Sequence, residues 1–434
     1  MIIIHLLVCL FLSSLKIFFT ADKTYDPPNV VIILADDLGW SQIGCYGSKF
    51  YETPNIDKLA KKGIRFTNAY SAASICSPTR ASIMTGKYPA RLGITDFIPG
   101  NSSKNQPLLT PENWQKFLPL HEITIGEILK SNGYSTGFFG KWHLSSEKQP
   151  PKSLIHNPDK QGFDEILITY KPSKNLITNW QIENNDYHNV DSITKKGLEF
   201  IDLHQNSPFF LFLSHNSIHD PLIEDERKIL KYQNKNTSVK KENNPIIAAM
   251  LESLDKSVGQ IINKLIDLNI LDNTLIIFYS DNGGKHNHAL QKPLRKGKGW
   301  LYEGGIRVPL IISWPKKVKN SFTYDPMVSS IDIMPTLYNL TNNGTSELIE
   351  FDGVDISSAF ENKKIDREEL FWHYPHYHQG SGMKPASAIR WKNYKLIEWH
   401  EPTILNGKNQ TELYDLNNDL EEKFNLVEKK TKIA

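Results

Sequence analysis

Four polar clusters in this chain each follow an apolar run. "ILADDLGW" carries Asp36 and Asp37 behind residues 29–34, and "GFFGKWH" carries Lys141 and His143. "SHNSIHDP" carries His215 and His219, and "YSDNGG" carries Asp281 and Asn282. Aspartate and asparagine oxygens are hard ligands that suit Ca2+ or Mg2+ better than zinc, and no C-x-x-C or H-E-x-x-H spacing offers a soft-metal site. Singly, a DD pair reads as a solvated turn and DNGG as a hairpin-type turn. At the ends of two buried strands they read together as a cation site. Arg80, Lys141 and Lys298 add fixed cations of the kind that clamp phosphate or sulfate esters, where charge moves onto peripheral and leaving oxygens. His143 and His219 are placed to hydrogen-bond a nucleophile or protonate a leaving alcohol.

Cys76 stands in "SICSPTRASIMTG", at the start of a helical pattern with Pro78 in its first turn. A helix N-terminus lowers a thiol pKa and gathers anions. The residues alone leave open half of a disulfide with Cys45, a packed thiol, or a catalyst precursor. Thiolate catalysis of the tyrosine-phosphatase kind fits poorly. It sets five residues between cysteine and arginine, whereas Arg80 comes four positions after Cys76.

The elements that must position these groups alternate. A helix capped by Thr124 feeds the strand "STGFF". "PFFLFL" precedes the His215–His219 cluster. A long amphipathic helix bearing Ile247, Leu251, Leu254, Val258, Ile261 and Leu265 on one face leads into "NTLIIFYS". Helix, apolar strand and polar strand end, repeated, predict an α/β fold with its ligands outside the carboxyl ends of the strands. From about residue 365 the texture changes: "SAIRWKNYKLIEWH" and "TELYDLNND" read as antiparallel strands of a smaller α+β subdomain. The expected organisation is 1–21 signal peptide, 22–364 catalytic domain and 365–434 carboxyl-terminal subdomain.

The chain has 434 residues and a formal charge of +2, which excludes bulk electrostatic attraction to nucleic acid. Its first 21 residues form an apolar run that reads as a signal peptide, with a retained membrane anchor as the alternative; no later segment is apolar enough to span a bilayer. Export to a secreted, periplasmic or lysosome-like compartment follows. Sequons lie at Asn101, Asn236, Asn339, Asn343 and Asn409.

"CSPTRASIMTG" resembles the signature of the type I sulfatases, C-x-P-[ST]-R-x-x-x-x-T-G, through Cys76, Pro78, Thr79, Arg80, Thr85 and Gly86. "ILADDLGW", "TGFFGKWH", "SIHDP", "YSDNGG" and "GKGWLYEGGIRVP" support the resemblance in order, over roughly residues 28 to 425. It implies an alkaline-phosphatase-like α/β sandwich, with a large mixed central sheet and a small carboxyl-terminal antiparallel sheet. It implies that a maturation enzyme oxidises Cys76 to formylglycine, whose hydrate attacks sulfur. It also implies one Ca2+ on Asp36, Asp37, Asp281 and Asn282 with the position-76 side chain nearby. Arg80, Lys141 and His143 match residues that hold the hydrate and sulfate. His219 and Lys298 match those at the leaving-group oxygen, with His215 a competitor for His219.

The aromatic, histidine-rich "FWHYPHYHQGSG" favours a sugar sulfate over a steroid or lipid, with His373, His376, His378 and Arg390 as candidate sugar-binding residues. Packing between domains is the alternative for these aromatics. The pattern suggests an exo-acting polysaccharide or glycosaminoglycan sulfatase on galactose- or N-acetylgalactosamine-type units. A phosphodiesterase or phosphonate monoester hydrolase of the same superfamily, and a non-catalytic glycan-binding homologue, are the competing readings.

Overall fold

The computed structural model describes residues 26–100, 106–108, 111–146, 155–172, 186–235, 241–342, 349–407 and 410–433. The expected signal peptide and the sequons at Asn101, Asn236, Asn343 and Asn409 lie outside the described residues; Asn339 is exposed. No helix among the described residues is long and apolar enough to cross a membrane.

The strands are β1 (Asn29–Ala35), β2 (Ile64–Phe66), β3 (Ala69–Tyr70), β4 (Ser135–Gly140), β5 (Glu165–Ile168), β6 (Phe209–Ser214), β7 (Thr274–Ser280), β8 (Leu310–Ser313), β9 (Phe322–Tyr324), β10 (Val328–Ser329), β11 (Glu369–Tyr374), β12 (Ala386–Trp391), β13 (Tyr394–Trp399) and β14 (Gln410–Asp415). Eight of them form one mixed sheet in the order β5-β4-β6-β1-β7-β8-β2-β9, and β11 to β14 form a separate antiparallel sheet in chain order. The fold is the α/β sandwich with a smaller carboxyl-terminal sheet that the sequence pattern implies.

Alternation along β1 shows why the sheet is covered on both faces. Val30, Ile32 and Leu34 enter one apolar cluster, while Val31, Ile33 and Ala35 enter another. The first face packs against Ile125, Ile128 and Leu129 of the Ile125–Ser131 helix and Ala81, Ile83 and Met84 of the Cys76–Thr85 helix. Thr124 caps the former through a reciprocal capping box with Glu127. The second face packs against the Pro245–Asp267 helix through all six residues of its apolar stripe. Strands buried on both faces read as continuous apolar runs, which β1, β6 and β7 are.

β4, β6, β1 and β7 run parallel, and their register fixes the site. Leu34 and Gly140 both pair with Ser214, and Ala35 pairs with Ser280. The residues that follow, Asp36, Lys141, His215 and Asp281, therefore leave one edge of one sheet. Gly140 has φ 126°, and a Cβ there would meet the Ser214 carbonyl oxygen at 1.8 Å. Only glycine permits the turn that delivers Lys141.

Candidate active site

Cys76 opens the Cys76–Thr85 helix, and its side chain lies among the strand ends. Its Sγ is 3.4 Å from Asp36 Oδ1, 3.9 Å from Asp37 Oδ1 and 3.2 Å from Lys298 Nζ. Asp36, Asp37, Cys76 and His219 are all buried and bring one candidate ligand atom each within 4.8 Å of one another, compatible with a metal ion. Cys45 and Cys76 are both free thiols, which sets aside the disulfide. The helix N-terminus alone would lower the Cys76 pKa. Burial, reinforced by Asp281, wins and pushes it up to about 12.

Each carboxylate has a cation. Lys141 Nζ is 2.7 Å from Asp36 Oδ2, and Lys298 Nζ is 2.5 Å from Asp37 Oδ1. Arg80 forks onto Asp281 Oδ2 through Nε (3.0 Å) and Nη2 (2.8 Å), while Nη1 donates to the Lys141 carbonyl oxygen and Ser214 Oγ, both at 2.7 Å. Asn282 Nδ2 donates to Asp37 Oδ1 (2.8 Å). Burial opposes ionisation of Asp36, but Lys141, Arg80 and Lys298 hold its carboxyl well below the ordinary value. Asp281 is pushed up to about 6, by burial first and Asp36 next, against the pull of Arg80. Asp37 Oδ2 and Asn282 Oδ1 are buried without a hydrogen-bond partner among the described residues. Orphaned hard oxygens beside buried carboxylates are what a divalent cation would satisfy.

The two histidine candidates separate. His219 faces Asp37 Oδ2 at 3.7 Å through Nε2 and donates from Nδ1 to the Asp220 carbonyl oxygen (2.8 Å). Burial and then Lys298 push its pKa down to about 3, leaving Nε2 a free lone pair. His215 is turned away and meets Ser257 Oγ of the long helix at 3.2 Å. His143 holds the Ile98 carbonyl oxygen through Nε2 (2.6 Å), and its Nδ1 is buried without a partner among the described residues. Asp37 and His143 have φ of 65° and 59°, a left-handed backbone that is uncommon for non-glycine residues.

The carboxyl-terminal candidates divide as well. A Cβ on Gly299, next to Lys298, would meet His378 Nδ1 at 2.4 Å, so His378 borders the pocket. His376 bonds Thr95 Oγ1 (2.8 Å), in the segment whose Ile98 anchors His143. His373 is exposed, bonds Ser387 Oγ (2.8 Å) and lines a separate cavity of about 470 Å³ with Tyr88, Phe371 and Glu398. Arg390 is buried against Asn68 Oδ1 (2.9 Å) and the Tyr70 hydroxyl, in the contact between the small sheet and the main body. Sequence reasoning passed over Asp220, which sits beside His219, ion-pairs with Lys285 and lies 2.7 Å from His288 Nε2. Adjacency to His219 and to the DNGG turn was the available signal.

The pocket sits at parallel strand ends, with Cys76 at a helix N-terminus between carboxylates and cations, in a fold of the alkaline-phosphatase-like class. Residues 28–343 match the family model described as Sulfatase, and the chain belongs to that family of sulfuric ester hydrolases. Residues 296–434 match a model described as N-sulphoglucosamine sulphohydrolase, C-terminal. The chain is 30% identical to arylsulfatase A of Homo sapiens over 450 residues, covering 92% of this chain and 83% of the relative. It is 27% identical to N-acetylgalactosamine-6-O-sulfatase of Bacteroides thetaiotaomicron, covering 94% and 91%. Among solved structures, Ps i-CgsB in complex with k-i-k-neocarrahexaose superposes with a TM-score of 0.77 at 29% identity, covering 94% and 90%.

Proposed function

We propose that this sulfatase removes sulfate from a sulfated carbohydrate, acting from the chain end on a galactose- or N-acetylgalactosamine-type unit. The observation that carries this reading is the setting of Cys76: its sulfur lies between Asp36 and Lys298, among hard oxygens and cations. Oxygen chemistry suits that pocket better than a thiolate, and conversion of Cys76 to formylglycine by a maturation enzyme would supply a hydrated aldehyde as nucleophile. Asp36, Asp37, Asp281 and Asn282 would hold one Ca2+, which would add positive charge to a pocket where three carboxylates now balance Arg80, Lys141 and Lys298. That surplus favours an anionic ester.

The chain's own groups divide the remaining work. Arg80 and Lys141 hold position 76 and the sulfate oxygens, and His143 presents its unpartnered Nδ1. Lys298 and His219 face the leaving oxygen. The charge of a bound sulfate ester favours the protonated imidazole, so substrate raises the His219 pKa toward the value a general acid needs. His378, beside Gly299, and His376, one segment behind His143, border the sugar subsite. His373 and Arg390 are left out of it by their placement. The relatives named for N-acetylgalactosamine sulfate and for a neocarrahexaose complex support a glycan substrate. Residues 1–21 are assigned as a signal peptide for export.

The test pairs mass spectrometry of the peptide containing residue 76 with sulfate release from a panel of defined sulfated saccharides. An aldehyde or its hydrate at position 76 and desulfation of terminal galactose-type units are expected. An unmodified thiol in active native protein, or turnover dominated by phosphate diesters, would overturn the assignment.

A further inference from the structure

Lys298 reaches Cys76 and Asp37 from an irregular loop, residues 295–302, which ends in the short Glu303–Ile306 helix. The front of this segment is tied to both halves of the site. Lys298 N donates to the Gly284 carbonyl oxygen (2.9 Å), two residues beyond Asn282, and Gly299 N donates to that of Ser74 (2.8 Å), two residues before Cys76.

The back of the segment rests on the chain that follows β14. Arg295 Nη1 donates to the Glu422 main-chain oxygen (2.7 Å) and to the Tyr414 hydroxyl (3.0 Å), and its guanidinium lies 3.9 Å from the centre of the Tyr302 ring. Glu422 Oε2 accepts from Glu303 N (2.8 Å). Its Oε1 meets Lys395 Nζ at 2.5 Å, and the same ammonium is 3.0 Å from Glu303 Oε1. Lys395, Glu303 and Glu422 are fully buried, although Glu421 before Glu422 is half-buried and Lys423 after it is exposed. Glu422 has φ 51°, a conformation that non-glycine residues rarely adopt. A surface tail that turns a single charged side chain inward, in a disfavoured backbone, onto the amide that opens the Glu303 helix, is built to hold that segment.

We propose that Glu422, together with Arg295, is a positioning residue for Lys298: the carboxyl-terminal tail clamps the 295–305 segment from behind and sets the Lys298 ammonium against position 76. This inference rests on the reading of Lys298 at the leaving-group oxygen. The clamp makes the last stretch of the chain part of the machinery without touching substrate.

The experiment uses the matured full-length protein and aryl sulfates of graded leaving-group pKa. Wild type, Lys298→Met, Glu422→Ala and Arg295→Met are compared, with the double variant Glu422→Ala, Lys298→Met. A displaced ammonium lowers kcat by about ten- to a hundredfold, since misplacement of about 1 Å carries a cost of that order. The loss in Glu422→Ala and Arg295→Met grows as the leaving group worsens, as it does in Lys298→Met, and the double variant is no slower than Lys298→Met alone. Arg295→Met leaves the Glu303–Lys395–Glu422 cluster intact and so reports even where the alanine variant does not accumulate. A loss by the same factor for every leaving group, or losses that multiply in the double variant, would show a merely structural tail and overturn the clamp. If instead Lys298→Met itself shows no leaving-group dependence, the reading of Lys298 fails and takes the clamp with it.

Discussion

Removing Arg80 tests the electrostatic design of the site most directly. Its guanidinium is 2% exposed and makes two contacts with Asp281, one with the Lys141 carbonyl oxygen and one with Ser214 Oγ. Arg80→Met keeps most of the volume and leaves Asp281 buried without its cation. Breaking a buried pair from one side costs about 3–5 kcal/mol. Unfolding entropy of about 2.1 cal/mol/K per residue over roughly 400 residues gives about 0.85 kcal/mol/K, so Tm falls by about 4–6 °C. Arg80→Lys recovers the charge without the fork and regains only part of that loss. Calcium should narrow the deficit, because a dication beside Asp281 replaces part of the missing charge. Differential scanning calorimetry of wild type and both variants, in calcium and in chelator, reads all three quantities. A Tm within about 1 °C of wild type for Arg80→Met in chelator would refute the reasoning, because so small a shift is what surface substitutions produce.

Chelation of wild-type protein should lower both Tm and sulfate release. Ca2+ should restore them better than Zn2+ if the ion sits, as proposed, on the oxygens of Asp36, Asp37, Asp281 and Asn282, whereas an ion held by Cys76 Sγ and His219 Nε2 beside Asp36 and Asp37 would favour Zn2+; thermal shift in metal-exchanged samples checks this. His219→Gln should reduce kcat by about 10²–10⁴-fold on alkyl sulfates and much less on aryl sulfates with acidic phenols, the mark of a lost proton donor. Equal losses on both substrates would remove His219 from that role. The equivalent change at His215, which bonds Ser257 rather than the pocket, should spare kcat and lower thermal stability.

What the sequence disclosed follows from chain locality. β1, β6 and β7 are six or seven residues long with apolar interiors, and each stops at a polar cluster, so their edge of the sheet was readable. The far side was not. β2, β8 and β9 have three or four residues, too few for a period, and β2 finds its partners about 250 positions away. Lys298 alone reads as an exposed lysine in a glycine-rich loop; it is 7% exposed because Gly284 and Ser74 hold that loop over Cys76. Arg390 shows the opposite case. Alternation along β12 sets it on the same buried face as Ala386 and Ala388, where it meets Tyr70. That period of two was present in "SAIRW", but the surface Arg390 packs on, Asn68 and Tyr70, came from elsewhere in the chain, and its part in sugar binding is a separate question.

The order in which the pocket's parts leave the ribosome makes it a clock. Cys76 is 2% exposed, walled by Asp36 and Asp37 from before it and by Lys298 from 222 positions after it. At about 5–20 residues per second, that separation corresponds to roughly 11–44 s of synthesis in which position 76 exists and its lid does not. If position 76 is converted as proposed, the maturation enzyme has that interval to reach it. Slower elongation between residues 76 and 298 would lengthen it, and early closure of the sheet over the thiol would shut it.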